Sequence, residues 1–391
     1  MSNIVFVAAK RTPIGRFYGK LQSVTPQSLA QQVVDDLLKT TQIKPEQIDQ
    51  VIFGQVLQAN SGQNIARQIA LNTNMPFGTT AFTVNEVCGS GLKAIHLAYQ
   101  ALALNESDII IAGGVESMSQ APRYMERQPK PYGANTLIDS IERDGLSDAF
   151  SHEAMGITAE YVASDYGVDR TAQDQFALQS QLRAQEAIEA GRFVEEITPV
   201  HYPSRQGTIV IDQDEHPRFN STLAGLEKLR PAFQSDGSVT AGNSSGINDG
   251  ASAVLMMREE TARAVNLPIL GQFVAFSEVG VDPNYMGISP ILAIQNALKK
   301  AELSTQQIDR YEINEAFASQ SVAVIKALDL PEEKVNPDGG AIALGHPIGA
   351  SGARILVTLL HGMARNHQQH GVASLCVGGG QGLALVIKAP Q

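Results

Sequence analysis

A chain that repeats its own order of elements has to fold as two similar lobes, and this one repeats itself about 260 residues further on. Thr25-Pro26, Leu38-Lys39 and Gln47-Ile48-Asp49 find counterparts at Ser289-Pro290, Leu298-Lys299 and Gln307-Ile308-Asp309. Ser90-Gly91 meets Ser351-Gly352, each opening a helix. Gly113-Gly114 meets Gly378-Gly379, each closing an apolar strand, Ile109-Ile110-Ile111 in one copy and Ala373 to Val377 in the other. The shared order is a capped helix, a strand, a glycine turn, a second helix and a second strand. Such alternation predicts an α/β class with largely parallel sheets covered on both faces. Two copies predict two sheets packed through shared helices.

Between the copies the texture changes. From about Met118 to Leu229 come Pro122, Pro129, Pro131, Pro203 and Pro217, charged turns and one amphipathic helix, Thr171 to Ala190. Thr171 reads as its N-cap, with Asp174 three positions on, close to a capping box. Long connections with structure of their own are usually lids or binding loops, so substrate contacts outside the chemistry are expected here. The expected division is an N-terminal half of residues 1–118 and 246–267, an inserted loop domain of residues 119–245, and a C-terminal half of residues 268–391.

A length of 391 residues suggests two or three domains. With 43% hydrophobic and 18% charged residues, the chain has the profile of a folded protein. A net charge of −11 argues against nucleic acid or an anionic membrane as the main partner. The apolar run Ile4 to Ala9 is a buried strand, too short for a membrane span or a signal segment. Two distant cysteines without a secretory signal fit a reducing compartment, so a cytoplasmic location is expected. No two histidines sit at metal-ligand spacing with a carboxylate in a helix, and no metal is expected.

The chemistry-bearing residues lie in glycine-rich turns. Cys88 precedes Leu92, Ile95, Leu97 and Ala98 at helical spacing, which puts its thiol at or just before a helix N-terminus, a place that favours a thiolate. Cys376 ends an apolar strand before Gly378-Gly379-Gly380-Gln381-Gly382. That run is not a dinucleotide fingerprint, because Leu383 to Lys388 after it reads as a strand and not a helix. His346 sits between Gly345 and Pro347, and Asn314-Glu315-Ala316-Phe317 completes a set that reads as nucleophile, acid/base and polar supports. His96 reads as packing, and Glu315 as support.

Taken together, Asn85 to Gly91, Gly113 to Ser119, Leu229 to Phe233, Thr240 to Gly250, Asn314 to Phe317, Gly339 to Gly352 and Cys376 to Gly382 resemble the thiolases over essentially the whole chain. The resemblance implies a duplicated thiolase fold, two mixed five-stranded sheets in an α-β-α-β-α layering, with the loop domain inserted in the N-terminal half for CoA binding and oligomer contacts. It implies an acetyl-CoA C-acetyltransferase that reversibly makes acetoacetyl-CoA and CoA from two acetyl-CoA, by ping-pong Claisen chemistry through an acetyl-Cys88 intermediate. In this likeness Cys88 is the nucleophile, His346 its base and Cys376 the acid/base of the second half reaction. His346 and a water on Asn314 hold the enolate oxygen. The N–H groups of Cys88 and Gly378 hold the tetrahedral intermediate.

Substrate contacts carried over by position are Arg218 and Ser245 on CoA, and Met155, Met286, Ala316 and Phe317 around the acyl group. Two positions depart from the pattern: Ala154 stands where biosynthetic members usually have histidine, with His152 two residues upstream, and Gly225 replaces a pantetheine-contacting serine. The likeness implies no cofactor, since CoA is substrate and product. It also implies a homotetramer through a loop near Ser119 to Gln128; it does not fix the pathway, since acetoacetyl-CoA could feed isoprenoid precursors by the mevalonate route, polyester or solvent synthesis, or be cleaved for energy. Competing expectations are a degradative 3-oxoacyl-CoA thiolase, a ketoacyl synthase, for which Cys376 is the wrong residue type, and a non-catalytic lipid-binding or scaffold protein.

Overall fold

The computed structural model describes residues 3–127, 130, 132–205 and 207–390. Its first half runs β1 (Ile4–Arg11), α1 (Pro26–Thr41), β2 (Gln50–Gly54), α2 (Ile65–Asn72), β3 (Thr80–Val84), α3 (Ser90–Ala103) and β4 (Ile109–Ser117). The insertion follows, with α4 (Met155–Asp165) and α5 (Arg170–Glu189), before β5 (Asn248–Arg258) returns to the first sheet. The second half runs β6 (Gly271–Gly280), α6 (Ser289–Ala301), β7 (Arg310–Ile313), α7 (Ala318–Leu328), α8 (Ile348–Arg365), β8 (His370–Val377) and β9 (Gln381–Lys388).

Across the molecule the strands lie in the order β7-β8-β9-β6-β1-β5-β4-β2-β3. Read outward from the middle, the two halves share one plan: β1, β5, β4, β2, β3 on one side and β6, β9, β8, β7 on the other. The fifth strand of the second half is reduced to a single parallel bridge between Tyr311 and Val335. The sheets meet edge to edge where Val5 pairs with Gln272 and Phe6 with Gly271. Pairing is mixed. β2 is parallel to β3 and β4, and β7 to β8. Alternation alone suggested more parallel pairing, but β8 and β9 form a hairpin across the glycine turn, and β5 comes back antiparallel to both β1 and β4.

Three apolar clusters separate the layers. Leu29, Val33 and Leu37 of α1 pack on Val51, Phe53 and Leu255 of the first sheet. Leu92 and Ile95 of α3, with Leu356 and Leu359 of α8, fill the space between Ile110 of β4 and Leu375 and Leu385 of the second sheet. Ile294 and Leu298 of α6 and Val324 of α7 cover its outer face at Val372 and Val386. The result is the α-β-α-β-α order, with β4 and β8 buried along nearly their whole length.

The repeated residues repeat their jobs. Asp49 Oδ2 accepts the N–H groups of Asp108 (2.7 Å) and Ile109 (3.0 Å), and Asp309 Oδ2 accepts those of Gln369 (2.8 Å) and His370 (3.0 Å). Each aspartate therefore ties the start of one strand to the start of a neighbour in its sheet. Gln47 and Gln307 likewise take the N–H groups of Lys44 (3.0 Å) and Ser304 (2.9 Å). In the insertion, α5 begins at Arg170, one residue before the expected start, and its cap is Asp169, not Thr171. The Asp169 carboxylate reaches the N–H of Ala172 at 2.8 Å, and a charged acceptor suits the positive end of a helix.

The central helices cross at their first turns, and the paired glycines are the point of contact. A Cβ on Gly91 would lie 2.9 Å from the Ala353 nitrogen, and one on Gly352 would lie 2.5 Å from the Leu92 nitrogen. Main chain cannot retreat as a side-chain tip can, so Gly352→Ala and Gly91→Ala are expected to destabilise by about 1–3 kcal/mol each. Gly78→Ala, where an added Cβ meets nothing within 4 Å, is the neutral control. Thermal unfolding midpoints of the three variants decide it, and equal midpoints would refute the crossing as described.

Candidate active site

Cys88 lies in the tight turn that leads into α3. Val87 before it has φ +47°, a left-handed conformation that a β-branched residue rarely takes and that stores about 1–3 kcal/mol of strain. The turn is locked by Ser90, whose hydroxyl accepts the Glu86 N–H at 2.8 Å and donates to the Val87 carbonyl at 2.7 Å. The backbone N–H groups of Gly378 and of Cys88 itself point at the thiol. Burial nevertheless pushes the thiol up to about 11, and the charge of Glu116 adds to this. The thiolate expected from the helix N-terminus is therefore not the resting form, because loss of water outweighs the two N–H donors and the helix end.

Cys376 is the penultimate residue of β8, opposite Gly382, and close enough to Cys88 to feel its charge. Burial and that neighbour push its thiol far above the ordinary range. Both cysteines are free.

His346 follows Gly345, whose φ of +107° lets the chain pass Asn248 where a Cβ would come within 2.7 Å. The His346 N–H donates to Asn248 Oδ1 at 2.9 Å, and its ring Nδ1 lies 2.5 Å from Ser351 Oγ. With Nδ1 engaged, Nε2 faces Asn314, whose Nδ2 is 3.5 Å away. Burial, helped by the charge of Arg354, lowers His346 to about 3, so the imidazole is neutral at neutral pH. Asn314 is held by its N–H on the Ser374 carbonyl at 2.9 Å, and its Oδ1 has no partner among the described residues.

Glu315 turns away from this group. It accepts from Ser180 Oγ (2.7 Å), Asn336 Nδ2 (2.8 Å) and the Ile342 N–H (3.1 Å), and so stitches the end of β7 to α5.

A cavity of about 600 Å³ leads to His346 and is walled by Met155, Arg218, Phe233, Ser245 and Phe317. A second, of about 950 Å³, reaches Gly378 and Val87 from the other side, past Asn85, Leu137 and Asp148. Met155 and His152 border both. A Cβ on Gly378 would strike the Met155 Cε at 2.4 Å, so the methionine stands directly over the glycine turn.

The structure brings Arg218, Ser245, Met155 and Phe317 together with His346. Ala316 contributes through its backbone, accepting the Ser245 N–H at 3.0 Å. Met286, expected around the acyl group, is buried in the turn Pro283–Ile288 and lines neither cavity. Ala154 lines the smaller cavity, and His152 curls back beside it with φ +61°. Gly225 sits exposed in a short helix, Leu223–Glu227, and borders neither cavity. Of the loop expected to hold a tetramer together, Ser119 is fixed by Asp249 Oδ2 at 2.6 Å, while Gln128 lies outside the described residues.

Sequence reasoning passed over Ser351, Asn248 and Glu116. The last had a visible signal, an acidic residue inside an otherwise apolar, fully buried strand.

Two family models match the chain, the thiolase N-terminal domain over residues 4–260 and the thiolase C-terminal domain over residues 267–389. The chain belongs to the thiolase family. This thiolase is 50% identical, over all of both chains, to the probable acetyl-CoA acetyltransferase of Escherichia coli strain K12. It is 51% identical, over 99% of each, to the acetyl-CoA acetyltransferase of Pseudomonas aeruginosa. Its fold superposes on the crystal structure of the Bacillus anthracis acetyl-CoA acetyltransferase with a TM-score of 0.98 at 43% identity, covering 100% of this chain and 99% of that one. On human mitochondrial 3-ketoacyl-CoA thiolase it gives 0.96 at 40% identity, with the same coverage. Among the described residues of this thiolase no cluster of His, Cys, Asp or Glu could hold a metal ion, and no helix is long and apolar enough to cross a membrane.

Burial also lowers His96 and His216, each to about 4. Below the ordinary histidine value of 6.5 the unfolded chain takes up protons that these three folded rings refuse. Their contribution to stability is complete above that value and is lost as pH falls towards their folded values. His346→Asn removes one of the three. The acid limb of its unfolding free energy between about pH 6 and pH 4 is expected to be shallower than wild type by about 1.4 kcal/mol per pH unit. Denaturant titrations across that range test this, and an unchanged slope would place the His346 ring in water.

Proposed function

We propose that this thiolase is an acetyl-CoA C-acetyltransferase, condensing two acetyl-CoA to acetoacetyl-CoA and CoA through an acetyl-Cys88 intermediate. The observation that supports the reading is a neutral His346 ring, 3.5 Å from the Asn314 amide, on a cavity walled by Arg218 and Ser245, with Met155 between it and the Gly378 turn whose N–H, like that of Cys88, points at the buried Cys88 thiol.

A thiol held near 11 cannot be stored as thiolate at neutral pH, so its proton must leave as it attacks the thioester. His346, neutral, bordering the cavity and with Nε2 facing Asn314, is the base for this step. The oxyanion that forms falls to the N–H groups of Cys88 and Gly378, donors of a kind worth about 3 kcal/mol each in barrier. CoA then leaves on the proton His346 has taken. In the second half reaction Cys376 removes a methyl proton from the next acetyl-CoA. Its raised thiol makes the thiolate scarce but strongly basic, as a carbon acid requires. The enolate oxygen is taken by His346 in its Nε2–H tautomer and a water on the free Oδ1 of Asn314; the enolate carbon attacks the acetyl-Cys88 carbonyl, the acyl–sulfur bond breaks, and the Cys88 thiolate takes back the proton that Cys376 removed. The reading extends to a homotetramer working in the cytoplasm, with CoA as substrate and product.

Met155, over the Gly378 turn, leaves room for short acyl groups on the near side and separates them from the larger cavity. That larger space favours the second reading, a degradative 3-oxoacyl-CoA thiolase. Acetyl-CoA alone, with intact mass after brief mixing, separates the two. An acetyl adduct on wild type but not on Cys88→Ala, with acetoacetyl-CoA and CoA released, is the expected result. No adduct, but thiolysis of longer 3-oxoacyl-CoA, would assign the degradative role, and silence in both assays a non-catalytic one. Met155→Ala is expected to raise kcat/KM for six- to eight-carbon 3-oxoacyl-CoA relative to acetoacetyl-CoA by about tenfold. An unchanged ratio would remove Met155 as the divider.

A further inference from the structure

Glu116 is a fully buried carboxylate on β4 that forms no ion pair among the described residues. It is satisfied by main chain alone. Oε1 accepts the Leu57 N–H at 3.1 Å, and Oε2 accepts those of Val56 at 3.0 Å and Gly349 at 2.9 Å. Gly349 belongs to the first turn of α8, where helical N–H groups have no partner within the helix. On the neighbouring strand β5, Asn248 takes the N–H of His346 at 2.9 Å. The turn that carries His346 is therefore seated from the other half of the molecule, by two polar side chains on adjacent strands.

The place is electrostatically suited to an anion, since the N-termini of α3 and α8 meet there and both helix ends favour negative charge. Asp249 on β5 and the Cys88 thiol are the titratable groups that face it. Burial raises Glu116 to about 7, so its charge is present above neutral pH, where a thiol would otherwise begin to ionise.

We infer that Glu116 is a positioning residue: it seats the His346 turn through the Gly349 N–H, and its carboxylate supplies the negative charge where the two helix N-termini that carry Cys88 and His346 meet. This rests on Cys88 as the nucleophile, and the test reads the thiol without turnover so that the two can fail separately. Full-length, substrate-free protein is alkylated with iodoacetamide across a pH series, and peptide mass spectrometry counts Cys88 apart from Cys376. Wild type is expected to react only above the ordinary thiol range of about 8.5, and onset below that overturns the inference. Glu116→Gln removes the charge but not the burial and is expected to move the Cys88 profile down by about half a pH unit, roughly a threefold gain in rate at a fixed pH below the new midpoint. A profile superposed on wild type overturns it. Glu116→Asp keeps the charge but draws it back by one methylene, and stands alone if the glutamine variant does not fold. Its profile is expected to match wild type while kcat for acetyl-CoA falls about tenfold with KM within about twofold. Full kcat in that variant overturns the seating role. A normal pH profile with no acetyl transfer at all would instead count against Cys88 as the nucleophile.

Discussion

The contact on which the rest of the site depends is the crossing of α3 and α8 at Gly91 and Gly352. Two helix N-termini of like polarity are brought together, with backbone so close that neither position has room for a side chain. Two of the proposed reactive residues hang from this point. Cys88 enters one helix and His346 the other, each steadied by the serine beside the glycine: Ser90 braces the Cys88 turn, and Ser351 holds the His346 ring. The duplication thus supplies two equivalent helix entrances and gives them different chemistry. Like-polarity ends forced together need negative charge between them, and Glu116 lies there.

What the sequence revealed and what it hid divide along the line between local and tertiary physics. Gln47-Ile48-Asp49 and its copy were legible because both halves reuse one pattern, the glutamine bonding three residues back and the aspartate bonding the start of the neighbouring strand, which leaves the same letters in the same order. The glycine turns beside Cys88, His346 and Cys376 were legible as close passages of the chain, because glycine is required where a Cβ would have no room, as where Gly345 passes Asn248. The resting state of Cys88 was not legible: a helix end argues for a thiolate, and only packing reveals that burial wins. Met286 was misplaced for a similar reason, since position along the chain does not say which way a turn faces. Nor could spacing show that the second sheet's last strand shrinks to the Tyr311–Val335 bridge. Thr171 lost the helix start to Asp169 because an aspartate two residues earlier is the better acceptor.

The insertion is attached to this core by buried charge. Arg11 of β1, with no exposure, holds Glu196 at 2.6 Å and Asp214 at 2.7 Å. Thr358 of α8 joins the same carboxylate of Glu196 at 3.1 Å. A buried pair of this kind adds little net stability over apolar packing, but it tolerates few alternative geometries. Arg218 and the walls of the smaller cavity therefore stand at a fixed distance from the thiol even though they come from a segment outside the repeat.

The position of β5 has a consequence for how the chain is made. Apart from a single bridge between Arg11 and Ile197, β1 pairs among the described residues with β5 and β6, and β5 lies beyond an insertion of roughly 130 residues. At a synthesis rate of about 5–20 residues per second, the first strand to leave the ribosome waits on the order of ten seconds for its first partner strand. Until then β4, later buried on both faces, presents an unpaired apolar edge, the kind of surface on which nascent chains associate. The first half of this duplicated fold is thus closed from its far end, after the loop domain has been made and at nearly the same moment as the second half begins.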